Sequence, residues 1–182
     1  MTLKCSVFIA TSLDGFIAKT DGDIQWLVSI PAPDPQEDYG FQTFFDSIDA
    51  LVMGRKTYEA ALNFADWPYT GKRVIVLSHG SPPVPERLIG QVEFMAGTPL
   101  VLAQNLEVEG IKHAYVDGGK TIQGFLAAGL IDEMTITTIP ILLGEGIPLF
   151  GHLTKEIQLE LLDSKRYANG FVKNHYRVLG EG

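Results

Sequence analysis

The 182-residue chain is poor in the groups on which several large protein classes depend. It has one cysteine, Cys5, so no intrachain disulfide and no cysteine-cluster metal site is available to it. A single thiol fits a reducing compartment, and the apolar residues around Cys5 mark it as a small buried side chain rather than a reactive one. Positive charge is scarce: 14 Lys and Arg stand against 22 Asp and Glu, a formal net charge of −8. Such a surface repels phosphate backbones and anionic headgroups, so nucleic acid and membranes are not expected as partners. No apolar run approaches the roughly 20 residues of a membrane helix; stretches such as Ile139 to Leu143 are far shorter. Met1 to Ala10 holds one lysine and then a short uncharged run, too little for a secretory leader, so a cytoplasmic location is expected. Familiar motifs are missing too. The first strand-like run is not followed by G-x-G-x-x-G, and Gly144-Glu145-Gly146 shares only its opening. The 4 histidines (His79, His113, His152, His175) are scattered, without H-E-x-x-H, and no G-x-S-x-G elbow occurs.

What is present suits a core. Hydrophobic residues make up 46% of the chain and mean hydropathy is +0.12, which excludes a disordered or fibrous chain. Repeats, low-complexity tracts and linkers are absent, and one domain over residues 1–182 is expected. Strand-like runs at Lys4 to Ala10, Ala50 to Met53, Lys72 to Leu77, Lys112 to Val116 and Glu133 to Ile139 alternate with helix-like ones. The helical segments are Gln36 to Ser47, with Phe41, Phe44 and Phe45 at helical spacing, then Arg55 to Asn63, a Thr98-capped helix ending at Gly110, and Thr121 to Ala128. The chain closes on a hairpin, Ile157 to Tyr167 and Phe171 to Val178, about an Asn169-Gly170 turn. This order predicts an α/β fold with a mostly parallel central sheet, flanking helices and a C-terminal antiparallel hairpin.

Ligands in such sheets bind at the carboxyl ends of strands, and three polar segments fall there. Gly54-Arg55-Lys56-Thr57 follows a strand and opens a helix, where unpaired amides and the helix dipole favour an anion. Its two cations stand at the end of the helix where the dipole opposes them, which favours an anion site over a plain basic helix. Asp117-Gly118-Gly119-Lys120-Thr121 repeats that setting with a glycine pair that can form a concavity of amides, or simply a tight turn. Gly119-Lys120-Thr121 also looks like the tail of a P-loop. Ala114 stands where the motif needs its first glycine, however, and the loop is too short to wrap phosphates. Ser78-His79-Gly80 ends a third strand. Two phosphate cradles and a nearby polar strand end suit a pyrophosphate with a separate phosphate, the shape of NADPH.

Taken together, SLDGFIA (Ser12 to Ala18), DALVMGRKTYE (Asp49 to Glu59), VIVLS (Val74 to Ser78), VDGGKTIQGFL (Val116 to Leu126) and PILLGEGIPLF (Pro140 to Phe150) resemble the dihydrofolate-reductase-like superfamily. The similarity is greatest to the C-terminal reductase domain of the bifunctional riboflavin-biosynthesis deaminase–reductase. The resemblance implies an NADPH-dependent reductase acting on a small-molecule substrate, of the type that reduces 5-amino-6-(5-phosphoribosylamino)uracil, and a homodimer. It places Arg55, Lys56, Thr57 and Ser78 at the 2′-phosphate and pyrophosphate. It puts Gly118, Gly119, Lys120, Thr121 and Ile122 over the pyrophosphate, beside Gly54, and the backbones of Ala10 and Ile17 at the nicotinamide carboxamide.

The substrate side is open to more than one reading. Asp14, in the SLDG turn, either handles substrate and protons or is a turn aspartate. Asp38 matches an acid that faces the pterin in dihydrofolate reductases, or is a helix-start carboxylate favoured by the dipole. Trp26 lines the substrate or belongs to the core. Two departures weigh against the riboflavin-type substrate: Phe16 stands where the family commonly has Arg after SLDG, and Gln36 to Asp49 holds no Lys or Arg to bind a ribose phosphate. The family's deaminase domain, with its zinc-binding Cys and His residues, is absent from this sequence. The alternatives are therefore a dihydrofolate or pterin reductase and a non-catalytic NADPH-binding module.

Overall fold

The computed structural model describes residues 2–180. Eight strands form one mixed sheet in the spatial order β5-β4-β3-β6-β1-β7-β10-β9. They are β1 (Lys4–Ser12), β3 (Ala50–Gly54), β4 (Arg73–Leu77), β5 (Val92–Met95), β6 (His113–Asp117), β7 (Glu133–Ile139), β9 (Leu159–Arg166) and β10 (Val172–Val178). The strands from β5 to β7 run parallel, and β10 and β9 add antiparallel to that edge. The short β2 (Phe16–Ala18) and β8 (Ile147–Pro148) pair separately. This is the expected α/β architecture, mostly parallel with a C-terminal hairpin. Among the described residues no helix is long and apolar enough to cross a membrane.

Burial on both faces explains why β3 reads as an unbroken apolar run. Ala50 and Val52 face a core with Val7, Val116, Ile122 and Phe125, whereas Leu51 and Met53 face one with Tyr58, Val74 and Tyr115. Helix α3 (Arg55–Leu62) packs on the second face through Tyr58 and Ala61, and α5 (Gly119–Ala127) on the first through Ile122, Phe125 and Leu126. Helix α4 (Pro99–Val108) begins at Thr98, whose hydroxyl accepts from Val101 N at 3.4 Å.

The two helices lie on opposite faces because the chain leaves the sheet in opposite directions. After β3 it moves to β4; after β6 it moves the other way, past β1 to β7. Right-handed crossovers then place α3 and α5 on different sides, and the gap between β3 and β6 is the topological switch point.

Several local expectations needed revision. The helix read from Gln36 begins only at Phe41, as α2 (Phe41–Ser47). Upstream, Asp34, Glu37 and Asp38 take the amides of Gln36, Tyr39 and Gly40 respectively, so side chains compete with helical bonding. Tyr39 (φ 59) and Gly40 (φ 85) then turn the chain through the left-handed region. Helix α5 starts at Gly119 rather than Thr121. Strands β2, β5 and β8 and the one-turn α1 (Gln25–Val28), none longer than 4 residues, were not legible as elements.

Candidate active site

The switch point brings the two glycine-led turns together. β3 and β6 pair in register up to Met53↔Asp117, so the starts of α3 and α5 adjoin. Each turn occupies the room the other's glycine leaves. A Cβ on Gly118 would fall 2.5 Å from Thr57 Oγ1, and one on Gly54 would fall 3.0 Å from Thr121 Oγ1. Gly118 also has φ 91, a conformation that L side chains rarely adopt. Gly119 is hemmed in from outside: its Cβ would meet Pro148 O at 3.0 Å and Ile17 Cδ1 at 3.2 Å. The β2–β8 pair, with Leu149 N donating to Gly15 O at 3.0 Å, therefore closes on the start of α5. Neither helix has a side-chain cap or an acidic residue in its first turn, which leaves free amides and uncompensated dipole charge at both starts.

Arg55, Lys56 and Lys120 are exposed around these turns, and the Arg55 guanidinium rests on Glu59 at 2.7 Å. Such a half-exposed helical pair is weak, so an anion can compete for Arg55. Ser78 follows β4, whose Leu77 is paired with Gly54, and its amide bonds Met95 O at 3.0 Å. Ile122 differs from its expected neighbours: its side chain is fully buried and its amide bonds Gly118 O at 2.8 Å.

A crevice opens beside the cradle. Strands β1 and β6 pair only from Lys4↔His113 to Ser6↔Tyr115, although β1 runs on to Ser12 and β6 to Asp117. Lys4 N bonds Lys112 O and Phe8 O accepts from Tyr115 Oη, so the even-numbered residues of β1 direct their backbone groups toward β6. Ala10 shares that phase and faces the crevice with no ladder partner there.

Asp117 stands at the end of β6 on this crevice, and the sequence offered it only as part of a turn. Its Oδ1 accepts from Gly118 N at 2.8 Å and its Oδ2 from Tyr69 Oη at 3.3 Å. Burial pushes its carboxyl above the ordinary value, against the opposing effect of these donors. The legible signal was an acid placed immediately before the second glycine-led turn.

The other two acids are held ionised. Asp14 Oδ1 accepts from Ser12 Oγ at 2.6 Å and Leu143 N at 3.1 Å, and its Oδ2 from Gly144 N at 2.8 Å. These bonds, the serine hydroxyl foremost, lower its pKa. Asp38 accepts from Gln42 N and Gly40 N, both at 2.8 Å, and these amides lower its pKa in the same way. Asp38 thus caps the start of α2, and Asp14 braces the turn after β7. Trp26 is 7% exposed among Ile139, Tyr167 and Phe171, with Ala10 at the edge of that cluster, and its Nε1 donates to Asp23 O at 3.2 Å. That is a core position bordering the crevice. Among the described residues no group of His, Cys, Asp and Glu is arranged to hold a metal ion.

The same architecture occurs in known proteins. A riboflavin biosynthesis protein from Shewanella sp. PV-4, described as putative, superposes with a TM-score of 0.91 at 41% identity, covering 97% of this chain and 99% of that one. The uncharacterized protein YwjB of Bacillus subtilis (strain 168) is 35% identical over 178 residues, 97% of this chain and 98% of its own length. The Thermotoga maritima diaminohydroxyphosphoribosylaminopyrimidine deaminase/5-amino-6-(5-phosphoribosylamino)uracil reductase shares the fold at a TM-score of 0.75 and 13% identity. This chain spans 57% of that one. The family model of the RibD C-terminal domain matches residues 4–173, from the first residue of β1 into β10 and through both glycine-led turns. The chain belongs to the RibD C-terminal domain family, a family of riboflavin-pathway reductases.

Proposed function

We propose that the protein is an NADPH-dependent reductase that transfers a hydride to a small substrate of the riboflavin-pathway type. The observation that carries this reading is the interlock of Gly54 with Thr121 and of Gly118 with Thr57 at the switch point, which sets two uncapped helix starts side by side. Two adjacent anion-ready starts fit a pyrophosphate, and the exposed cations around them fit a separate phosphate. Arg55, Lys56 and Ser78 hold the 2′-phosphate side, and Thr57, Gly118, Gly119, Lys120 and Thr121 hold the pyrophosphate. The open backbone edge of Ala10 receives the carboxamide, with Ile17 beside it.

Bound NADPH supplies the hydride; the remaining tasks fall to the chain. The crevice between β1 and β6 holds the two reactants against each other and limits water. Asp117 is the proton-handling group of this reading, because burial raises its pKa above the ordinary carboxylate value, and Tyr69 orients its carboxyl. Asp14 and Asp38 stay ionised and act by position: one fixes the turn after β7, the other the start of α2. The homodimer belongs to the same reading and is checked by mass in solution.

Arg55→Ala tests the cofactor assignment. The KM for NADPH is expected to rise by about tenfold or more, the scale of one lost charge-assisted bond, while the KM for NADH stays near its starting value. Equal effects on both cofactors would remove the 2′-phosphate role.

A further inference from the structure

A cavity of about 690 Å³ opens where β4 and β5 begin, at the other end of the sheet from the glycine-led turns. Arg73 opens β4 and pairs with Ala50, whereas Leu77 closes it beside Gly54. The length of β4, about 13 Å, therefore separates this cavity from the nucleotide cradle.

The lining gathers positive charge in a chain that has little. Lys72, Arg73 and Arg87 lie on it, and Glu93 is the acid among them. That acid is already engaged. Arg73 Nε donates to Glu93, and Arg73 Nη1 donates to Glu109 Oε2 at 2.5 Å, so two carboxylates hold one guanidinium in place. Lys72 Nζ donates to Ile48 O at 2.6 Å and Asp46 O at 3.5 Å, carbonyls that leave its charge unneutralised. Arg87 is exposed and has no ion-pair partner among the described residues. Two cations without a carboxylate, beside a third that is fixed, favour an anion.

The rest of the wall suits a carbon skeleton. Ile89 is 71% exposed on it, and Gly71 and Gly90 leave open space where a Cβ would meet nothing within 4 Å. The volume is that of a small-molecule site, and the arginine forks match carboxylate and phosphate oxygens. We propose that this cavity is a second binding site, separate from the nucleotide cradle, for a small organic anion with at least two negative charges on carboxylate or phosphate groups. Its oxygens meet Arg87, Lys72 and Arg73, and its carbon body lies on Ile89. The inference does not need the reductase reading, because no residue of the cradle or the crevice takes part.

Citrate and glycerol 3-phosphate are the probes, titrated calorimetrically into the full chain at about 0.15 M salt, with and without NADPH. At least one is expected to bind with a Kd of about 1 mM or tighter, and the tighter one identifies the favoured oxyanion. Arg87→Met with Lys72→Met is expected to weaken it roughly tenfold or more, the scale of a lost charge-assisted bond. Ile89→Asp sets a negative charge on the wall and is expected to weaken it as far. Arg55→Ala and saturating NADPH are expected to leave it within about twofold, as distant independent sites do. If the double variant does not fold, Arg87→Met and Ile89→Asp carry the test singly, because both side chains are exposed. Failure of both probes to bind overturns the site. So does binding that NADPH displaces or Arg55→Ala removes, which would put the anion in the cradle, and so does binding that survives every lining variant. Probe binding in a chain that does not bind NADPH keeps this site and removes the reductase reading.

Discussion

Asp117, Asp14 and Asp38 carry the same carboxyl group, yet their surroundings shift its pKa in opposite directions. Asp117 is raised by burial, so folding favours its neutral form. Its contribution to stability is complete below the ordinary carboxylate value and is lost as pH rises through the raised one. Asp117→Asn removes that penalty, so its stability relative to wild type is expected to improve between pH 4 and pH 8 while turnover falls. Chemical denaturation at the two pH values checks the sign; an unchanged difference would deny Asp117 its raised pKa. Asp14 runs the other way. Its bonds to the amides of Leu143 and Gly144 persist above the ordinary value and fade as pH falls through the lowered one. Asp14→Ala is expected to speed hydrogen exchange at those two amides and leave the β3–β6 ladder protected. Uniform acceleration across the sheet would show that Asp14 supports more than this turn. In the sequence the three acids were indistinguishable in state, because pKa follows from burial and from donors distant in the chain.

At the level of elements, the glycine-led turns were readable because their chemistry is local: a buried strand, a glycine, then cations or a second glycine opening a helix. What could not be read was their mutual fit. Gly118→Ala places a Cβ against Thr57 and forces a side chain into φ 91. The cost expected is about 1–3 kcal/mol, with weaker NADPH binding. Thr57→Ala in the same chain is expected to restore part of the stability, since it removes the contact but not the backbone strain. A strictly additive double variant would show that the two turns do not interlock. The start of α2 shows the converse. Its aromatic spacing predicted a helix correctly, but carboxylates at Asp34, Glu37 and Asp38 captured the preceding amides and delayed it to Phe41.

For the molecule as a whole, net charge −8 means that the proposed polyanionic cofactor would have to be held by a few placed cations and amides. NADPH at about 100 times its Kd is expected to add about 2.7 kcal/mol, a rise of roughly 5–10 °C in Tm, with a smaller rise for NADH and none for ATP-Mg. A chain that melts at the same temperature with and without NADPH would leave the cradle without its ligand.

Strand and helix alternation, the buried parallel strands, the closing hairpin and the two glycine-led turns were determined by the sequence itself. Hydrophobic period, turn chemistry and helix-start amides act over a few residues and are written in consecutive letters. Other features were decided only in three dimensions. The divergence of β1 from β6 that exposes Ala10, the raised Asp117 between Gly118 and Tyr69, and the hold of Glu93 and Glu109 on Arg73 all join residues far apart in the chain. Each depends on strand order and register, which place neighbours that no local pattern encodes.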